Sequence, residues 1–332
     1  MPPKEMLYNS ATFTAVAGQA RPFAPAKRLM EAFMTKREFL TAGVGAGLAL
    51  AKGTAAFSQQ LSAAARSGGV PGRGRVPTRM AKTTKLFKTP SGYPNAVAVT
   101  PEGLWIAEQK LSGAQAVAYH MSEPQSLTEN CWLVDWNGKV LKTVATPSRN
   151  TSGMAVGGGY VWMVANAPPE GVFQVDMNSQ VVSHRQIPLG PPNDGGGCHG
   201  ALWHDGKLWI AALRLRGNLR VDPKTWEPEF MIPFYQAPDR VRYHGIAWDN
   251  GTIWQVVGND CKRYSDYRPC LVRYEAATGK VLEIVDFVPN SCDPHGLAMH
   301  DGKFISCDAG IHPGWPNNDS PTAGWIFQID FI

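Results

Sequence analysis

The chain repeats one short pattern in register, a constraint few folds can meet. A brief apolar strand runs into a tight turn, and a second strand follows, built around a large apolar residue. The copies read NAVAVTPEGLWIA from Asn95, SGMAVGGGYVWMV from Ser152, CHGALWHDGKLWI from Cys198, YHGIAWDNGTIWQ from Tyr243 and PHGLAMHDGKFIS from Pro294. After each copy a third strand ends in an apolar residue followed by an acid: Val134-Asp135, Val175-Asp176, Val221-Asp222, Tyr274-Glu275 and Ile329-Asp330. A turn such as Asn137-Gly138 or Thr278-Gly279 then leads to a fourth strand. Short strands at even spacing with turn residues between them read as all-β. Four strands in a unit of about 45–57 residues is the period of a β-propeller.

The pattern predicts five four-stranded blades; an irregular sixth in the insertion 109–130 is the alternative count. The fifth copy stops after its third strand, whereas Lys85–Pro90, ahead of the first copy, resembles the fourth strand Leu141–Pro147. An N-terminal strand completing the last blade would close the ring and cover both open edges. The repeated Trp residues are expected to fill the wedges between blades.

Charge divides the chain. Residues 1–80 hold 11 Lys/Arg against 3 Asp/Glu, and the remainder holds 21 against 24. The propeller region, 81–332, is therefore mildly acidic, which argues against a nucleic-acid surface. Residues 1–80 read as an export signal and tail. Lys36-Arg37 and Phe39-Leu40 precede the weakly apolar stretch Thr41–Ala51, with small residues at Thr54–Ala56 and Ala63–Ala65 for cleavage. This resembles a twin-arginine signal with lysine in the first place, and makes Met34 a natural start. A membrane anchor needs about 20 apolar residues, more than this stretch offers. The expectation is a periplasmic or secreted protein, recognised by export machinery and free of the membrane once mature. A disulfide between Cys261 and Cys270 fits that compartment.

Three first strands carry His-Gly pairs at one register: His199-Gly200, His244-Gly245 and His295-Gly296. In a propeller the first strands line the central channel, so Asn95, Ser152, His199, His244 and His295 should form one ring. Three imidazoles meeting there would make a metal site with open positions for substrate. Neutral nitrogen ligands suit Zn, Mn, Fe or Cu better than Ca or Mg. The competing reading has the three only hydrogen-bonding across the channel.

Glu108 and Asp308 end the second strands of the first and last blades and are the repeat-matched candidates for acid–base work. His120 and His312, in long excursions, are candidate proton donors. Asp293 stands where it could orient His295, and Tyr243 and Arg242 flank His244, the arginine suited to an anionic group. His204 and His300 sit in the turns at the opposite end of the blade and are not counted as ligands.

The text Pro94–Glu108, with Pro294-His295-Gly296-Leu297, resembles the streptogramin (virginiamycin B) lyase group within the gluconolactonase-like (NHL/YVTN) propellers, over about residues 84–332. The resemblance implies a metal-assisted site at the channel mouth, used in that family for C–O elimination or lactone hydrolysis. His295-Gly296 and Glu108 are the matching elements. A three-His ring is not the family's pattern, since gluconolactonase-type sites hold their cation with Glu, Asn and Asp. The expected activity is a metal-dependent lyase or hydrolase acting on a small cyclic or ester-like substrate. The alternatives are a mononuclear iron or copper oxidoreductase and a non-catalytic ligand- or protein-binding propeller.

Overall fold

A computed structural model describes residues 76–90, 93–118, 122–189, 197–235, 242–258, 269–310, 320 and 322–332. The export signal, His120, Cys261 (and so its expected bridge to Cys270) and His312 lie outside these residues.

The described chain is all-β apart from one short helix, α1 (Gly113–Ala118). Strands β2 (Tyr93–Thr100), β3 (Gly103–Gln109), β4 (Glu129–Val134) and β5 (Val140–Thr146) form one antiparallel four-stranded sheet. A second comprises β6 (Thr151–Gly157), β7 (Tyr160–Ala165), β8 (Gly171–Asp176) and β9 (Val181–Arg185). A third comprises β10 (Cys198–His204), β11 (Lys207–Ala212), β12 (Gly217–Val221) and β13 (Pro228–Pro233). The remaining strands make an eight-stranded sheet. Here β14 (Arg242–Asp249), β15 (Thr252–Gly258), β16 (Cys270–Glu275) and β17 (Val281–Phe287) are joined through β1 (Thr78–Lys88) to β20 (Trp325–Phe331), β19 (Lys303–Cys307) and β18 (Leu297–His300). The insertion 109–130 contributes α1 and, at its end, the start of β4, so among its described residues it holds no further blade.

The N-terminal strand does close the last set, pairing antiparallel with β20 from Ala81↔Phe331 to Lys88↔Trp325. It also does something the repeat did not announce. It begins at Thr78, inside the stretch read as tail, and Thr78–Ala81 pair in parallel with Ile284–Phe287 of β17. One strand thereby stitches two neighbouring sets into a continuous sheet.

The first strands form a closed ring: β2 packs beside β6, β6 beside β10, β10 beside β14, β14 beside β18, and β18 beside β2. Residues 97–99, 154–156, 201–203, 246–248 and 297–299 line a common axial cavity of about 120 Å³. Large apolar residues fill the wedges between sheets. Trp105 packs with Met154 and Val161, Trp162 with Leu208, Trp209 with Ile246, and Trp254 with Leu297 and Phe304. Ile305 takes the equivalent place against Val97 and Ile106. Three of the acids after the third strands cap their turns. One carboxylate oxygen of Asp135 accepts the amides of Asn137 and Lys139, both at 2.9 Å, Asp176 treats Asn178 and Gln180 alike, at 2.8 Å, and Asp222 accepts those of Lys224 at 2.8 Å and Thr225 at 3.0 Å. Side chains of this kind satisfy turn amides that would otherwise lack a partner. Asp330 instead lies within β20 and accepts from the Thr84 hydroxyl.

Glycine sets how closely the inner strands approach. A Cβ on Gly245 would lie 2.5 Å from the Leu297 amide nitrogen and 2.6 Å from the His295 carbonyl oxygen. On Gly200 it would lie 2.8 Å from the His244 carbonyl oxygen, and on Gly296 2.6 Å from the Val97 amide nitrogen. These neighbours are backbone and cannot swing aside. Gly245→Ala is therefore expected to lower stability by about 1–3 kcal/mol, the range for overpacking. Chemical denaturation would read it, and an unchanged midpoint would mean the inner strands are free to spread.

Candidate functional site

In four of the five first strands the pairing register breaks at the ring residue: between Pro94 and Ala96, Thr151 and Gly153, Cys198 and Ala201, and Tyr243 and Ile246. Bulges of this kind re-aim a side chain. In the fifth set His295 stands just ahead of β18, held by its amide to the Cys307 carbonyl at 3.0 Å and by its carbonyl to the Gly245 amide at 2.8 Å. Each ring residue is thus released from the alternation that would send it into an inter-sheet wedge.

The ring residues meet one another. Asn95 Nδ2 donates to Ser152 Oγ at 3.2 Å. The His199 and His244 rings stack at 4.8 Å between centroids, 20° from parallel, and His295 meets His244 edge-on at 4.7 Å and 64°. His244 and His295 are buried, and His199 is partly exposed.

Hydrogen-bond partners fix the tautomers of two rings. His199 Nδ1 lies 3.1 Å from the Tyr243 carbonyl, a pure acceptor, so Nδ1 carries the proton and Nε2 accepts from Asn166 Nδ2 at 2.8 Å. Arg242 Nη2 is 2.9 Å from His244 Nε2, and a guanidinium only donates, so the His244 proton sits on Nδ1. That Nδ1 is buried with no hydrogen-bond partner among the described residues. His295 Nδ1 faces Asp293, 3.4 Å from its carbonyl and 4.0 Å from its Oδ1.

Burial, with the Arg242 guanidinium second, pushes the His199 imidazole down to about 3 and His295 down to about 4. The same causes carry His244 well below the ordinary value. All three are neutral near pH ~7, the form that offers a lone pair to a metal or proton.

Beside His295 lie two buried carboxylates. The donor atoms of Asp293, His295 and Asp308 all fall within 4.8 Å of one another. Asp308 accepts the Asp293 amide at 3.2 Å, the Ser320 hydroxyl at 2.7 Å, the Gly310 amide at 2.8 Å and the Thr322 hydroxyl. Its carboxyl is nevertheless shifted up, first by burial and then by the charge of Asp293. A cation placed between two such carboxylates would relieve both effects.

Glu108 is buried and engaged elsewhere. It accepts the Asn130 amide and side chain, both at 3.0 Å, with Lys110 Nζ at 3.3 Å. Its repeat-matched partner Asp308 is the one set against an imidazole. At the far end of the sheets His204 and His300 are the last residues of β10 and β18, just ahead of the turns rather than in them. There His204 stacks on Trp248 at 3.7 Å and His300 on Trp136 at 3.8 Å.

Two residues escaped the sequence reading. Asn166, which holds His199, follows the last residue of β7, one place beyond the position occupied by Glu108 and Asp308 in their sets; polarity at that next position was the available signal. Glu129, fully buried at the start of β4, accepts the amides of Lys110 and Asn150 at 2.7 Å and of Thr151 at 3.0 Å. Burial outweighs those bonds and pushes its carboxyl up to about 7. No periodicity marks it, because it serves a connection rather than a strand.

Among solved structures the chain is similar to glutaminyl cyclase from Myxococcus xanthus, at a TM-score of 0.49 and 11% identity over 77% of this chain and 98% of that one. It is also similar to hydrazine synthase from Kuenenia stuttgartiensis, at 0.42 and 14% over 74% and 64%. For a streptogramin B lyase the values are 0.36 and 11% over 76% and 98%. No protein-family model matches the chain, and no curated protein matches it in sequence.

The neutral imidazoles make an acid-labile contribution to the fold. In the metal-free protein the folded state stays unprotonated at His199 and His295, whereas the unfolded chain takes up these protons near pH ~6.5. Their contribution to stability should therefore be full above that pH and fall as pH drops toward the folded values, by at most about 1.4 kcal/mol per pH unit for each imidazole. The raised carboxyls of Glu129 and Asp308 act in the opposite sense over the same window, so the readout is the difference between two proteins. Between pH ~6.5 and ~4.5 urea midpoints should change with a less acid-labile slope in His199→Gln than in the native protein. Equal slopes for the two proteins would mean that His199 is charged in the folded state.

Proposed function

We propose that the chain is a five-bladed β-propeller enzyme whose catalytic centre is the ring of first-strand residues. In this reading a divalent transition metal is held by His295 with the carboxylates of Asp293 and Asp308. The observation that carries it is the buried cluster of one neutral imidazole and two carboxylates with all donor atoms within 4.8 Å. Mixed nitrogen and oxygen donors suit zinc, manganese or iron. Such an ion, when bound, polarises a carbonyl oxygen or acidifies a bound water.

The remaining roles fall to the protein's own groups. Ser320 and Thr322 hold the Asp308 carboxylate, and such outer partners keep a ligand in place. His199 and His244 are neutral and side by side; each would take a proton at Nε2 only once Asn166 or Arg242 releases that atom, whereas the Nδ1–H of His244 is placed to donate to a substrate oxygen. Arg242, 2.9 Å from His244 Nε2, puts a fixed positive charge where an oxyanion could develop. This set supports elimination or hydrolysis of a small cyclic or ester-like substrate in a periplasmic or secreted protein.

A second reading makes all three imidazoles the ligands, favoured by their adjacency and by the unpartnered Nδ1 of His244. It requires Arg242 and Asn166 to leave the ring nitrogens they now engage.

Single variants separate the two. Metal content after zinc or manganese loading, with calorimetric affinities, should give about one equivalent for the native protein. His295→Ala and Asp308→Asn should lower affinity by more than the 10–100-fold typical of outer partners, roughly a thousandfold. His199→Ala should bind metal but lose turnover on a panel of lactones and aryl esters. His204→Ala should match the native protein. An equal loss of metal in His199→Ala would favour the three-imidazole set. No bound metal in the native protein would end the metal-dependent reading.

A further inference from the structure

A cleft of about 410 Å³ opens beside the ring, lined among others by Lys110, Leu127, Arg149, Asn166 and Glu170. Its volume lies in the range of small-molecule sites, about 300–1,000 Å³. Asn166 belongs both to this wall and to the ring, through its 2.8 Å bond to His199 Nε2. A molecule in the cleft would therefore lie one side chain from the imidazoles.

The cleft's charges are not equally available. Lys110 is 3.3 Å from Glu108 and donates to the Thr128 carbonyl at 2.6 Å, so its charge is largely satisfied. Arg149 is half-buried, and its guanidinium makes no ion pair or hydrogen bond among the described residues. A partly desolvated guanidinium with its fork of donors unused is suited to a planar, two-oxygen anion. Glu170 on the same wall would repel a second negative charge, which disfavours phosphate and dianions. Leu127 adds apolar surface, which disfavours a fully hydrated inorganic ion.

We propose that this cleft is the subsite for a small organic monocarboxylate, its carboxylate on Arg149 and its body directed toward Asn166 and His199. The proposal rests on the ring being the catalytic centre only for its role in turnover, and carboxylate binding stands apart from that reading.

Fluorine NMR with 4-fluorobenzoate tests it in chelator-treated protein. The native protein should broaden the signal, and 4-fluorobenzamide, which lacks the charge, should stay sharp. Arg149→Gln should weaken binding about tenfold or more, and Arg149→Lys, which keeps the charge but not the fork, by less. Inorganic phosphate at equal concentration should not displace the probe. His295→Ala should bind it normally, so a failed metal site leaves this result standing. Equal binding by the native protein and both Arg149 variants, or no binding by the native protein, would overturn the subsite while leaving the metal results untouched.

Discussion

The approach of one inner strand to the next decides most of what this fold can do. At Gly200, Gly245 and Gly296 the neighbouring backbone stands where a Cβ would be, at 2.5–2.8 Å. Hydrogen in place of a side chain lets the first strands close into a tight ring, and the residue before each glycine is carried inward with them. That residue is a histidine in all three cases. The imidazole contacts at 4.8 and 4.7 Å follow from backbone spacing before any side-chain chemistry is considered. Larger residues at the glycine positions would spread the strands and separate the rings.

The same ring creates an electrostatic problem that the surrounding groups resolve. Three imidazoles crowded together could not all be charged, and burial with Arg242 nearby keeps them neutral. Two carboxylates, Asp293 and Asp308, lie against His295 at one side of the cluster. His295 thus feels both the Arg242 guanidinium and the Asp308 carboxylate.

The strand repeat and the N-terminal closing strand were legible because each repeats a physical requirement: apolar alternation, turn glycine, and a covered edge. The adjacency of His199, His244 and His295, and of Asn95 with Ser152, follows from the same requirement, since equivalent positions in a rotational repeat face one axis. The carboxylate partners were only half legible. Asp308 stood out by its match to Glu108, yet the two acquire different surroundings from loops that do not repeat. Asn166 and Glu129 act through contacts between sets, which no pattern within a single set encodes. The parallel pairing of β1 with β17 was hidden similarly, because it depends on the exit direction of a neighbouring strand.

That double pairing bears on how the molecule comes into being. Thr84 in β1 bonds to Asp330 in β20 across a sequence separation of 246 residues. A nascent chain carries β1 as an unpaired edge until nearly everything else has been synthesised. The ring therefore cannot lock progressively from one end, and its last closure couples the outermost strand to two sets at once. Such long-range closure makes for slow folding, with a long interval in which the chain remains open to a chaperone.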